Sequence, residues 1–304
     1  MSYSTSSFQL THLMQKAYRR VANVRTSTAT GGSTTTIVDA KLLDYLEDSN
    51  EDDYLNNWTV FVVTDSAGAG ADPEGKFSII SDYTAETGTI TVPSSLTTAV
   101  ASGDTYMYCT PEVPIYDMIE IVNDALVYLG KTPSVDSTLT TANNQTEYTL
   151  PLAIKGRKIV MIEVQGQIND ANDNRYYLIH DWKVVESAIG STATLIIPQY
   201  VSGRTIRITY LDYHPRVDAY DDYISEYIHP ELATASVVAH ATRWINTQNK
   251  GNDKYLLQRE DKAFNDLDIA KATYPISLPV EQVQGFPYWK TPEPIAEFPP
   301  LPFS

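Results

Sequence analysis

A pattern of apolar residues with helical spacing lies between two strand-rich sections of the chain, in the stretch Pro114-Ile-Tyr-Asp-Met-Ile-Glu-Ile-Val-Asn-Asp-Ala-Leu-Val-Tyr-Leu129. Its apolar side chains recur at helical spacing, which predicts an amphipathic helix with one buried face. Pro114 suits the first position of a helix, and Gly130 suits the position just past its end. A helix flanked by β sections on both sides predicts a fold of the α+β class.

Downstream of this helix, short β-branched and aromatic runs predict an antiparallel β section over residues 145–213. They are Tyr148-Thr-Leu-Pro151, Lys158–Val164, Arg175–Ile179, Ala193–Ile197 and Arg204–Tyr210. In the last run Ile206, Ile208 and Tyr210 alternate with Arg207 and Thr209, so we expect one buried face and one solvated face.

Upstream of the helix, residues 27–110 have the composition of a second antiparallel β module. Four strand-like runs, Trp58–Val63, Lys76–Ile80, Thr89–Val92 and Thr105–Tyr108, are separated by turn signals rich in Gly, Asp and Pro. A small barrel or a sandwich is the expected architecture. The Thr/Ser/Gly stretch from Thr26 to Thr36 is interpreted as a linker.

Three further helices are expected to complete a helical bundle with the central one. The N-terminal helix spans Ser7–Val24 and follows the good N-cap types Ser6 and Ser7. The Ala-rich helix spans Leu232–Trp244 and is entered through His229-Pro230, and the last helix runs from Asp253 to about Ala272. The N-terminal helix carries Lys16, Arg19 and Arg20 on one face, which either contacts phosphate or an acidic neighbour or is simply solvated.

The C-terminal residues 276–304 are interpreted as an extended arm rich in proline and aromatic residues. Eight of the 17 prolines follow Tyr274, and proline on this scale prevents regular structure. An arm lying in a groove on a partner would use its apolar side chains, and an arm folded back on its own chain is the alternative. The expected anchors are Phe286, Tyr288, Trp289, Ile295, Phe298 and Phe303.

Composition excludes several classes of protein. The 304 residues carry 38 acidic and 22 basic side chains, a formal charge of −16, which argues against a protein that wraps nucleic acid by neutralising phosphates. The apolar fraction of 42% is too high for wholesale disorder, and no apolar run is long enough for a membrane helix. Cys109 is the single cysteine, so no internal disulfide forms. The 21 tyrosines suit partly hydrated interfaces.

Motifs for catalysis, cofactors or metals are missing, so we expect a non-enzymatic protein without a cofactor. The five histidines are scattered, and no phosphate loop, dinucleotide fingerprint or nucleophile elbow is present. Gly68-Ala-Gly70 is interpreted as a hairpin turn. Asn169–Asn174 lacks the glycine and glutamate of a calcium loop and is interpreted as a turn, and Asp218, Asp221 and Asp222 as a solvated loop.

Several short motifs occur in a distinctive order. They are an N-terminal helix, the helix ending at Leu129-Gly130, Tyr148-Thr-Leu-Pro151, Tyr176-Tyr177, Ile196-Ile-Pro198, the Arg207-Ile-Thr-Tyr210 strand, and His229-Pro-Glu-Leu232 before an Ala-rich helix. This order resembles the head-to-tail adaptor (connector) proteins of tailed bacteriophages, especially those with short tails. The resemblance covers residues 1–26 and 111–275, which would form the adaptor body, and residues 27–110 look like an inserted β module met in various phage virion proteins.

The resemblance implies a structural virion protein, assembled in the host cytoplasm, that forms a ring of usually twelve copies in the neck beneath the portal. The helices would surround the channel for double-stranded DNA, which places Lys16, Arg19, Arg20 and Trp244 on the channel side. The arm would reach the portal or a neighbouring subunit, and tail, nozzle or fibre proteins would attach below. No membrane partner is expected. The alternative is a trimeric tail fibre or another receptor- or glycan-binding protein.

Overall fold

The computed structural model describes residues 8–42, 51–166, 175–185, 193–249 and 253–278. Within these ranges the fold is mixed α+β, with four α-helices and four antiparallel sheets, which confirms the expected fold class. The described residues divide into two compact units, one made of 8–132 and Tyr213–Leu278 and the other of Pro133–Asp212. The predicted anchors of the C-terminal arm and the turn at Asn169–Asn174 lie outside the described residues.

The helices all belong to the first unit. They are α1 (Leu10–Val21), α2 (Ile115–Tyr128), α3 (Pro230–Gln248) and α4 (Lys254–Thr273). Helix α3 contacts each of the other three, and apolar side chains from all four share one hydrophobic core. The small residues of α3, including Ala233, Ala239 and Ala241, are fully buried, as close approach of neighbouring helices requires.

Local sequence signals place most of the helix ends. His229 is the N-cap of α3 and its ring accepts a hydrogen bond from the Glu231 amide, while Pro230 occupies the first turn. Gly130 follows α2 with φ of 98°, as expected for a residue that ends a helix. The N-terminal helix is shorter than the predicted Ser7–Val24 at both ends. It begins at Leu10 behind a capping box of Gln9 and His12 and ends at Val21, because the backbone is extended from Ala22 and Val24 begins a strand. Ser6 and Ser7 lie outside the described residues.

Two four-stranded sheets of the first unit enclose a second core. The strands are β1 (Val24–Thr28), β2 (Gly31–Gly32), β3 (Thr36–Val38), β4 (Thr59–Thr64), β5 (Phe77–Ile79), β6 (Asp82–Thr84), β7 (Thr89–Thr91) and β8 (Thr105–Cys109). The sheet orders are β1-β8-β4-β5 and β2-β3-β7-β6. Side chains from both sheets, such as Ile37, Ile90, Val60 and Tyr106, pack together. The two sheets therefore share one core, and the choice between a small barrel and a sandwich stays a prediction.

The interpretation of Thr26–Thr36 as a linker is wrong, because this stretch contributes to both sheets. Strand β1 pairs with β8 from Val24 opposite Cys109 to Thr28 opposite Thr105. Gly32 allows a close approach of the backbone, since a Cβ atom there would lie 2.3 Å from the Thr36 carbonyl oxygen. The polar composition that suggested a linker is that of an edge strand whose partner lies about eighty residues downstream.

The second unit holds the remaining strands around a third core. They are β9 (Lys131–Thr140), which begins at the unit boundary, β10 (Glu147–Thr149), β11 (Lys158–Gln165), β12 (Tyr176–Leu178), β13 (Lys183–Val185), β14 (Thr194–Ile196) and β15 (Thr205–Tyr213). The sheet orders are β12-β11-β15-β9 and β10-β14-β13. Strand β9 was not predicted, because its Thr/Ser-rich sequence shows no apolar alternation.

The prediction that Thr209 lies on a solvated face is wrong, since its side chain is buried. Strand β15 is central in its sheet, with β11 on one side and β9 on the other. Arg207 on the same strand is half-buried and donates a hydrogen bond of 2.7 Å to Glu163 of the neighbouring β11. Ile206, Ile208 and Tyr210 are buried as expected.

The predicted division into adaptor body, inserted module and arm stays a prediction. Residues 29–108 have a core of their own, although the contacts assign them to the same compact unit as the helices. Pro133–Asp212, expected to be part of the body, forms a separate compact unit.

Candidate functional site: a basic helical surface

The part of α1 that reaches solvent is a basic stripe. Eight of its twelve residues are buried, and the other four are His12, Lys16, Arg19 and Arg20. Their spacing of three to four residues puts them on one side of the helix. Arg19 and Arg20 lie in the last turn, where positive charge stabilises the C-terminal end of the helix dipole.

Glu231 joins this stripe to the first turn of α3. Its two carboxylate oxygens accept one hydrogen bond each, 2.8 Å from Lys16 Nζ and 2.8 Å from Arg20 Nη2. The hydrogen bonds from Lys16 and Arg20 lower the pKa of Glu231. The pair of contacts fixes Lys16 and Arg20 against α3, so these cations are positioned rather than freely solvated.

Arg259 of α4 extends the basic surface past the end of α1. Its Nη2 atom donates to two backbone carbonyls, 3.0 Å from that of Arg20 and 2.8 Å from that of Val21. Carbonyls in the last turn of a helix have no partner within the helix, so the guanidinium satisfies groups that would otherwise depend on water.

A groove of about 530 Å³ opens beside Arg259. Apolar side chains of Ala235, Val238 and Ala263 line part of it, and Arg20, Arg259 and Lys262 bring positive charge to it. Asp266 is the carboxylate among its lining residues. Lys262 is exposed and, within the described part of the chain, makes no hydrogen bond or ion pair. The groove can therefore accept a partner that carries both apolar surface and negative charge.

Helix α2 presents an exposed face that is acidic, in contrast to the basic stripe of α1. Tyr116, Asp117, Glu120 and Asp124 are exposed along it, and Tyr116 exposes 70% of its surface. Arg216 forms a bidentate pair with Glu120, with one contact of 2.9 Å between Nη1 and Oε2. The hydrogen bonding from Arg216 lowers the pKa of Glu120. Asp117 and Asp124 have no hydrogen bond or ion pair among the described residues.

The structure brings two of the four described site predictions together. Lys16 and Arg20 share Glu231, whereas Arg19 is exposed and makes no hydrogen bond in the described ranges. Trp244 is half-buried and packs against the main helical core. The arm residues Phe286, Tyr288, Trp289, Ile295, Phe298 and Phe303 lie outside the described residues, so their role stays a prediction.

Arg259 and Lys262 of this surface were not predicted from the sequence. Tyr255, Arg259, Lys262 and Asp266 recur at three- to four-residue spacing, which is a signal for one shared face of α4. That spacing alone does not reveal that the face lies next to α1, because the two helices are more than 230 residues apart in sequence.

Other candidate groups have structural partners. The His214 ring lies 2.7 Å from the Pro215 carbonyl and accepts a hydrogen bond of 2.9 Å from the Ser225 amide. Asp222 accepts from the amides of Asp218 and Ala219 within a turn, and burial raises the pKa of the Cys109 thiol. Among the described residues no three His, Cys, Asp or Glu side chains are grouped to hold a metal ion.

Comparison with models of known protein families and with curated proteins gives no match for this chain. None of the helices in the described ranges is both long and apolar enough to cross a membrane.

Proposed function

We propose that this protein is a non-enzymatic component of a tailed-bacteriophage virion, a head-to-tail adaptor that assembles into a ring between portal and tail. The ring extends the DNA channel and anchors tail components. In this proposal the four helices form a bundle that acts as the wall of the ring. The motif order from Leu129-Gly130 to His229-Pro-Glu-Leu232 supports the assignment to this class of protein.

The observation that carries the proposal is the pair of unlike faces on the first unit. A closed ring built from identical subunits in head-to-tail contact needs two different surfaces on each subunit. The basic stripe of α1 with the groove beside α4 supplies one such surface, and the acidic, tyrosine-bearing face of α2 supplies the other. Two-fold dimers, in contrast, use one self-complementary patch.

The net charge supports a passage for DNA rather than a site that holds it. Each copy carries a formal charge of −16, so a ring repels the phosphate backbone overall. DNA that loses few of its counterions on contact with a protein surface binds that surface weakly and moves along it freely.

The test is the size of the particle formed by the purified full-length chain, with and without portal protein. Native mass spectrometry and negative-stain images should show a closed ring of many copies, twelve in the family it resembles. A compact trimer that ignores the portal would contradict the proposal.

A trimeric fibre or a receptor- or glycan-binding tail protein is the second candidate. The observation that favours it lies on the edge strand β12 of the second unit. There Tyr177 exposes 52% of its surface and Leu178 exposes 47%. Exposed aromatic side chains can stack on sugars. The particle size separates the two candidates, and glycan-array binding lost in Tyr177→Ala would favour the second.

A further inference from the structure

The basic surface and the acidic face of the first unit have complementary chemistry. The basic surface, defined as Lys16, Arg19, Arg20, Arg259 and Lys262, belongs to a chain with a large excess of acid. The acidic face, defined as Tyr116, Asp117, Glu120 and Asp124, lies on α2. Both are formed by helices that pack on α3, so each subunit holds the two surfaces in a fixed relation.

We propose that the basic surface of one copy binds the acidic face of α2 in a second copy. This inference rests on the proposed function, since it identifies the contact that closes the ring. The carboxylate of Asp124 would meet the ammonium of Lys262, and the carboxylate of Asp117 would meet the guanidinium of Arg19. The Tyr116 ring, exposed beside Asp117, would cover the apolar lining of the groove.

The free charges on the two sides match in number. Lys262 and Arg19 on one side, and Asp117 and Asp124 on the other, are exposed and lack hydrogen-bonded partners within the described residues. Asp117 and Asp124 are seven residues apart, about 10 Å along the helix axis. Charged groups arranged in this way give an interface its register and its specificity.

The composition of the basic surface favours a protein partner over DNA. Glu231 and Asp266 lie among its cations, and Lys16 and Arg20 are already paired with Glu231. Arg259 is engaged with the carbonyls at the end of α1. Few of the positive charges thus remain to displace counterions from phosphates, whereas an apolar lining suits the body of a tyrosine. The contact would turn this basic surface away from the DNA channel.

Charge reversal tests the pairing. Lys262→Glu and Asp124→Lys each place like charges opposite one another, so each should weaken assembly about tenfold or more. The double variant Lys262→Glu with Asp124→Lys restores opposite charges and should recover most of the assembly. Sedimentation velocity and native mass spectrometry at low and high salt provide the measurement, and the wild-type ring should weaken as salt rises.

Two matched variants control for charge alone. Lys183→Glu and Glu86→Lys reverse exposed charges on β13 and in the short 3₁₀ turn Ala85–Thr87, and they should leave assembly unchanged. Circular dichroism confirms that each variant is folded.

The outcomes separate this inference from the function on which it rests. Rings that persist unchanged in Lys262→Glu and Asp124→Lys would overturn the pairing and leave the adaptor function standing. Single variants that weaken the ring without rescue in the double variant would also overturn it. A wild-type chain that never forms rings would overturn both, and a change in DNA retention with intact rings would assign the basic surface to DNA instead.

Discussion

Asp39 is an enclosed carboxylate of the first unit and joins its two sheets. It is fully buried and accepts hydrogen bonds from the Tyr106 hydroxyl at 2.8 Å and the Lys41 amide at 2.9 Å. The Ser27 hydroxyl donates a further, short hydrogen bond. Burial and the nearby carboxylate of Asp39 raise the pKa of Tyr106, so the phenol stays protonated as a donor.

Replacing Asp39 by alanine should lower the free energy of unfolding by about 3 kcal/mol, because the buried Tyr106 hydroxyl and the half-buried Ser27 hydroxyl lose their acceptor. Tyr106→Phe is the matched control. It removes one donor and leaves the carboxylate with its other partners, so we expect a loss of about 1 kcal/mol. Urea unfolding followed by tryptophan fluorescence measures both. Equal losses would show that the hydrogen bond from Tyr106 accounts for the whole contribution of Asp39 and that its other donors add nothing.

His214 makes the stability of the first unit depend on pH. Burial lowers the pKa of His214, although the contact with the Pro215 carbonyl partly opposes this shift. One ring nitrogen donates to that carbonyl while the other accepts from the Ser225 amide, an arrangement that fits only the neutral ring. Protonation would make both ring nitrogens of His214 donors. One of them would then face the Ser225 amide, which is itself a donor.

The free energy of unfolding should therefore fall as the pH drops below about 6.5, where the unfolded chain binds a proton that the folded chain resists. The loss should level off below the folded-state pKa. Urea midpoints at several pH values for the wild type and His214→Gln provide the measurement. Burial lowers the pKa of His240 as well, so the difference between the two proteins isolates His214. Parallel pH profiles would contradict this reasoning.

At the scale of single elements, β2 depends on glycine at one of its two positions. A side chain at Gly32 would lie 2.3 Å from the Thr36 carbonyl oxygen and 3.2 Å from the Val100 Cβ atom. At Gly31 no atom lies within 4 Å of the same point. The hairpin of β2 and β3 pairs Gly31 with Val38 and Gly32 with Ile37.

Gly32→Ala should destabilise the protein by about 2 kcal/mol or more, because backbone atoms must move to admit the methyl group. Gly31→Ala should change the free energy of unfolding by less than about 0.5 kcal/mol. Differential scanning calorimetry of the two variants compares them directly. A Gly32→Ala protein as stable as Gly31→Ala would show that the hairpin adapts to the extra methyl group.

The elements that could be predicted from sequence are those whose signals are local. The entry to α3 at His229-Pro230, the start of α4 at Asp253 and the end of α2 at Gly130 depend on neighbouring residues. The structure confirms all three, with His229 and Asp253 as the N-caps. Strand β1 depends on a partner about eighty residues away, and its Thr/Ser side chains carry no alternation. The strand propensity of a segment is therefore not enough to predict an edge strand when its partner strand cannot be recognised in the sequence.

The candidate site likewise combines features with local sequence signals and features that depend on distant residues. The basic stripe of α1 was visible in the spacing of Lys16, Arg19 and Arg20, because i, i+3 and i+4 neighbours share a helix face. The Glu231 contacts that fix two of these cations span more than 200 residues. The groove exists only where α4 packs near the end of α1, so no local pattern reveals it.

At the scale of the whole molecule, the end of the described chain is attached to the helical core. The Tyr274 ring stacks on His229 at a centroid distance of 3.9 Å and an interplanar angle of 2°. Ile276 packs against the main hydrophobic core. A truncation that removes these residues would damage the first unit, so a test of the arm must begin after Leu278.

Deleting residues 279–304 should leave a folded chain that no longer joins the portal. The deletion spares the contacts of Tyr274 and Ile276, so circular dichroism and the Tm should match those of the full chain. Loss of portal binding is expected because buried aromatic anchors dominate the energy of most interfaces. A full-length variant with Phe286, Trp289 and Phe298 replaced by alanine is the matched control, since it keeps the length of the arm and should also lose portal binding in co-sedimentation. Normal assembly of the truncated chain would refute the arm as the anchor and leave the helical faces as the surfaces that hold the subunit in place.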